Sequence, residues 1–139
     1  SLPPQLHRQI RAIAGSAKEI CEGSLENEEK FKKLATTLVM GLKELQAAVT
    51  SGPEGPLGIS VDMQIVGASF AELSRCTKKL LVNGQSMCRE EQAGNVGPEL
   101  RAPLLESLHE FGLALRSYLS LLQQAVQPPA VAPVAPAVE

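Results

Sequence analysis

Residues 100–126 read LRAPLLESLHEFGLALRSYLSLLQQAV, from Leu100 to Val126. Leu100, Leu104, Leu108, Phe111, Leu115, Leu119, Leu122 and Val126 recur there at steps of four and three. Those steps put side chains on one face of an α-helix and match no strand alternation. Leu105, Leu113 and Leu121 widen the apolar side, so this helix is expected to be the most buried of the chain. Pro98 suits its opening turn. Pro103 removes an interior hydrogen-bond donor. The reading therefore needs Pro103 in the first turn, or residues 98–102 as a separate turn.

The same periodicity appears three more times upstream. Leu6, Ile10, Ile13, Ala17 and Ile20 share a face, after Pro3 and Pro4 and before Gly23. Phe31, Leu34, Leu38, Leu42, Leu45 and Val49 form the second stripe, widened by Ala35, Val39 and Ala48. Ser24 or Asn27 can cap that helix, and Glu26, Glu28 and Glu29 suit the positive end of its dipole. Met63, Val66, Phe70, Leu73, Thr77 and Leu80 make the third stripe, flanked by Ile65, Cys76 and Leu81. Ser60 is its expected cap, with Asp62 in the first turn. Asn83-Gly84 could stop the third helix. Helix formers resume after Gly84, however, so the expected end is near Gln92. Two loops separate these segments, TSGPEGPLG at Thr50 to Gly58 and AGNVG at Ala93 to Gly97. Connections this short join antiparallel neighbours. The predicted fold is all-α, an antiparallel up-and-down four-helix bundle over residues 1–127. Residues 128–139, PAVAPVAPAVE after Pro128, read as a disordered Pro/Ala/Val-rich tail or linker.

Bulk composition agrees with this architecture. The chain has 139 residues, enough for one domain with a core of its own. Aromatic residues make up only 3%, which disfavours a strand-rich fold. A net charge of −2 lacks the basic footprint of a nucleic-acid binder. The opening SLPPQLHRQI lacks the charged start and apolar centre of a signal peptide. Three cysteines, Cys21, Cys76 and Cys88, are an odd set that reads as reduced, and the expected location is cytoplasmic.

Chemistry is hard to find in the pattern. Cys76 lies between Leu73 and Leu80 and reads as core, where a free thiol behaves as a small hydrophobe. Cys21 beside Ile20 reads the same way. Cys88, near the end of the third helix, is the thiol expected to be exposed. His7 and His109 stand in no nucleophile setting. Glu106 and His109 have the i, i+3 spacing of di-iron bundles, but no second such pair exists. No phosphate-cradling GxGxxG or P-loop sequence occurs. The expectation is a protein that is not an enzyme, with no catalytic residue, no metal and no cofactor. Lys32, Lys33, Lys78 and Lys79 read most simply as solvated faces. Their functional reading is a basic patch for an acidic peptide or an anionic headgroup.

A bundle without interior chemistry works through its surfaces. One mode is a partner's amphipathic helix lying in a groove between two helices. The phrases LATTLVMGLKELQAAVT (34–50) and IVGASFAELSRCTKKLLVNG (65–84) resemble the helices of cytoskeletal and adhesion adaptors of the talin rod, vinculin and focal-adhesion-targeting type. That resemblance implies a cytoplasmic scaffold or signalling domain that binds short helical motifs of a protein partner. It carries no binding residue to this chain. The alternative reading is a homo-oligomerising or membrane-associated helical bundle in trafficking or cytoskeletal organisation.

Overall fold

The computed structural model describes residues 3–22, 28–95 and 97–126. Its elements are α1 (Pro4–Glu22), α2 (Glu28–Thr50), α3 (Met63–Gln92) and α4 (Pro98–Ala125). They form an all-α antiparallel four-helix bundle. The pairs α1–α2 and α3–α4 pack most extensively, and thinner seams join α1 to α4 and α2 to α3. Direction is fixed by side-chain partners. Lys79 meets Glu110 at 3.1 Å, and Phe70 meets Tyr118 edge-on with ring centroids 5.5 Å apart. Rising numbers on α3 thus oppose falling numbers on α4. At the start of α4, Arg101 donates to the Cys21 carbonyl at the end of α1, at 2.8 Å. The tail at 128–139, the exit at Gly23 and the caps at Ser24 or Asn27 lie outside the described residues.

The stripes read from the sequence become one core. Leu6, Ile13, Ile20, Leu38, Leu45, Val66, Leu73, Leu80, Leu104 and Leu122 are all buried in it. Three details depart from the sequence reading. First, the cap of α3 is Asp62 rather than Ser60: its carboxylate accepts from the Gln64 N–H at 2.9 Å. This satisfies one of the donors a helix start leaves open. Second, α4 runs unbroken through Pro103, so neither condition set by the sequence holds. The Pro103 carbonyl accepts from the Ser107 hydroxyl at 2.9 Å and from the Asn83 amide at 3.2 Å, which ties this turn of α4 to α3. Third, the apolar side of α4 is narrower than read from the sequence, because Leu105 and Leu113 are 48% and 51% exposed.

α3 continues past Gly84 to Gln92, as the helix formers after it predict. Gly84 is there for packing. A Cβ at that position would stand 2.6 Å from Cε1 of Phe31 on α2. The helix then ends on Gly94, whose φ of +87° suits a left-handed cap. The Gly94 and Asn95 amides close back on the carbonyls of Glu91 and Glu90. At the opposite end of the bundle, Leu57 from the α2–α3 loop plugs the core. The Asp62 amide there reaches the Ala125 carbonyl at 3.2 Å, alongside a single bridge between Val61 and Val126.

Candidate functional site

The thin α1–α4 seam leaves a groove of about 280 Å³. Its α1 wall is Ala14 and Lys18, the row beside the buried stripe of that helix. From α4, Leu108, Phe111 and Leu115 supply apolar lining, and His109, Gly112, Leu113 and Arg116 complete it. The gap follows from residue size. Ala14 carries one methyl group, and a Cβ added at Gly112 would meet no heavy atom within 4 Å. Lys18 also pairs with Glu22 at 3.9 Å, between exposed side chains where such a pair is worth little.

Leu113, on the groove wall, and Leu105, beyond it, face outward from α4. The sequence reading had placed both on the core side. Leu104, Phe111, Leu115 and Leu122 of the stripe read from the sequence are buried, and Tyr118 and Ala125 join them, continuing the spacing of seven from Leu104 and Phe111. Each residue turns the helix by 100°, so positions 105 and 113 rotate out of that row. Tyr118 was absent from the stripe read in the sequence, yet it is among the largest fully buried side chains. The heptad spacing was the signal that could have found it. Burial raises its phenol pKa to about 12.

The four lysines of the sequence-derived patch are exposed. Lys32 and Lys33 stand on α2, and Lys78 and Lys79 on α3. Of these, Lys79 is engaged by Glu110 of α4, with both carboxylate oxygens within 3.2 Å. It lines a recess of about 410 Å³ with Glu72, Arg75, Cys76 and Glu110. Charge is balanced there, since Arg75 also pairs with Glu72 at 2.7 Å.

All three thiols are buried. Cys76 is 2% exposed; desolvation first, then the nearby Glu72 carboxylate, raise its pKa. Desolvation pushes Cys21 up to about 11, against a smaller lowering by Arg101. Cys88 corrects the expectation of an exposed thiol. Because α3 continues through Gly84, Met87 and Cys88 turn into the core, and burial raises the Cys88 pKa as well. A thiol held protonated is a poor nucleophile. Glu106 and His109 share only a shallow depression on α4 with Ala102, Leu105 and Glu110. Among the described residues no group of three His, Cys, Asp or Glu could hold a metal ion. No described helix is long and apolar enough to cross a membrane.

No family model, no curated protein and no solved structure matches this chain.

Proposed function

We propose that this bundle is a non-enzymatic adaptor or scaffold domain that binds an amphipathic helical segment of a partner protein. The observation that carries this reading is the α1–α4 groove, an apolar slot between two antiparallel helices with small residues on both walls. A partner helix laid in it would bury Leu108 and Leu113 further and set its own apolar side chains over Ala14 and Gly112. Helix-in-groove recognition needs such a slot and little else. The buried, protonated thiols support a non-catalytic role. The talin-, vinculin- and focal-adhesion-like texture of α2 and α3 supports a cytoplasmic setting in cytoskeletal, adhesion or signalling assemblies.

The test is to plug the groove. Ala14→Trp fills the slot from the exposed wall of α1 without touching the core stripe. Partner capture by the full chain is compared with capture by this variant, with circular dichroism confirming equal helicity. The captured protein's helical segment, made as a peptide, is then titrated against both. Binding by the parent chain and its loss in Ala14→Trp is the expected result. Equal binding by both chains overturns the groove reading.

A further inference from the structure

The outward face of α4 has a symmetry of its own. Leu105 and Leu113 stand four residues on either side of His109 and are the exposed large apolar side chains of this helix. Ala102 and Arg116 stand seven residues on either side of the same histidine. Ala102, Leu105, His109, Leu113 and Arg116 are separated by three, four, four and three residues, which keeps them on one helical row. None of them belongs to the core, and Ala102, Leu105, His109, Leu113 and Arg116 are all exposed.

We infer that this row is an interface for a second copy of the chain, two α4 helices lying antiparallel about a twofold axis at His109. An isologous contact requires a patch complementary to itself under that rotation. Here Leu105 of each copy falls opposite Leu113 of the other, and Arg116 opposite the small Ala102. One turn from Ala102 on either side stand Glu106 and Glu99, so each Arg116 comes within reach of two carboxylates of the opposite copy. Neither Arg116 nor Glu106 has an ion-pair partner within the described residues of its own chain. The like-charged arrangement, arginine opposite arginine, occurs only if the helices run parallel. Charge therefore selects the antiparallel pairing, and the leucines supply its apolar contact.

A single helix crossing buries less surface than a permanent dimer needs, so the association is weak, with a dissociation constant on the order of 100 µM. It shares His109, Leu113 and Arg116 with the α1–α4 groove. Pairing and occupation of that groove by a partner therefore exclude each other, although the pairing itself does not depend on the partner reading.

The experiment uses the full chain in two ways. Sedimentation equilibrium follows its mass from about 10 µM to about 1 mM, a range that brackets the expected constant. Under mild oxidation by diamide, His109→Cys is compared with Lys43→Cys on the exposed side of α2; the buried native thiols stay out of the reaction. The expected results are a concentration-dependent rise in mass and a disulfide-linked dimer of His109→Cys only. Arg116→Glu raises the dissociation constant about tenfold, and adding Glu106→Arg restores it. A chain that stays monomeric with no His109→Cys cross-link overturns the inference. So does a dimer in which Lys43→Cys links as readily, because the contact then lies elsewhere. A monomeric chain that loses its partner peptide on Leu105→Glu, outside the groove, assigns the row to the partner and overturns it too.

Discussion

The ring of Phe31 on α2 occupies the space that a side chain at position 84 of α3 would need. A Cβ there would stand 2.6 Å from Cε1 and 3.1 Å from Cζ of the ring, and 3.5 Å from Cγ2 of Ile20 on α1. Three helices meet at this missing side chain, toward the end of the bundle where α1 finishes and α2 begins. Glycine inside a helix ordinarily costs about 1 kcal/mol relative to alanine. Gly84→Ala is therefore stabilising by propensity and destabilising by overlap with a buried ring. Overpacking a core costs about 1–3 kcal/mol, so overlap wins and the urea midpoint falls. A midpoint equal to or above that of the parent chain would show that Phe31 moves aside freely.

Arg101, near the start of α4, ties three helices at the same end of the bundle. Besides the Cys21 carbonyl it holds the Glu91 carboxylate of α3 at 2.8 Å, and the Glu91 side chain is only 7% exposed. Removing the guanidinium takes this ion pair from a nearly buried carboxylate, and Arg101→Ala is expected to cost about 1–3 kcal/mol. Replacing both residues, as Arg101→Leu with Glu91→Leu, recovers part of that loss because the nearly buried carboxylate goes with its cation. Denaturant titrations of the three chains check this; a single variant no less stable than the double would contradict it.

Leu105 and Leu113 are the converse case. Core leucines cut to smaller residues cost about 2–5 kcal/mol. Leu105→Gln and Leu113→Gln should instead change stability by no more than about 0.5 kcal/mol, as surface substitutions do. A core-sized loss at either position, measured by thermal melting, would return that residue to the interior.

Stability should fall at alkaline pH. The pKa values of Cys21, Cys76, Cys88 and Tyr118 are all raised in the fold, each chiefly by desolvation. The unfolded chain then loses these protons at lower pH than the folded one, so rising pH favours unfolding. For Cys21 the contribution is complete below an unfolded value of 9.0 and is lost as pH rises through the folded value of about 11. Two units amount to roughly 2–3 kcal/mol for this residue. Urea midpoints taken from pH 8 to pH 11 should decline, and Cys21→Ala should flatten the decline. A midpoint that rises over this range would contradict the burial of these groups.

The fold was legible because each helix carries its own apolar row. The stripes at Leu6 to Ile20 and Phe31 to Val49 needed no partner to be recognised, since helix periodicity is a local signal. On α4 the main stripe was legible too, since Leu104, Phe111, Leu115 and Leu122 are all buried; what failed was its width. A helix with further leucines at 105, 113 and 121 offers several overlapping stripes. Only the positions of α1 and α3 decide that Tyr118 faces inward while Leu105 and Leu113 face out. Cys88 was misplaced although α3 was expected to cross Gly84. Its nearness to the helix end suggested exposure, whereas the buried row of Leu73, Leu80 and Met87 continues inward and takes Cys88 with it. The groove was not legible at all. Ala14 and Gly112 carry no chemistry in sequence, and their value comes from standing opposite each other across a seam.

Hydrogen exchange of the full chain, alone and with its captured partner, tests the surface reading most directly. Amides at residues 14–18 and 108–116 should gain protection with the partner bound, while those at Lys32, Lys33 and Lys78 stay unchanged. Protection confined to α2 and the outer side of α3, with none along the α1–α4 seam, would contradict it.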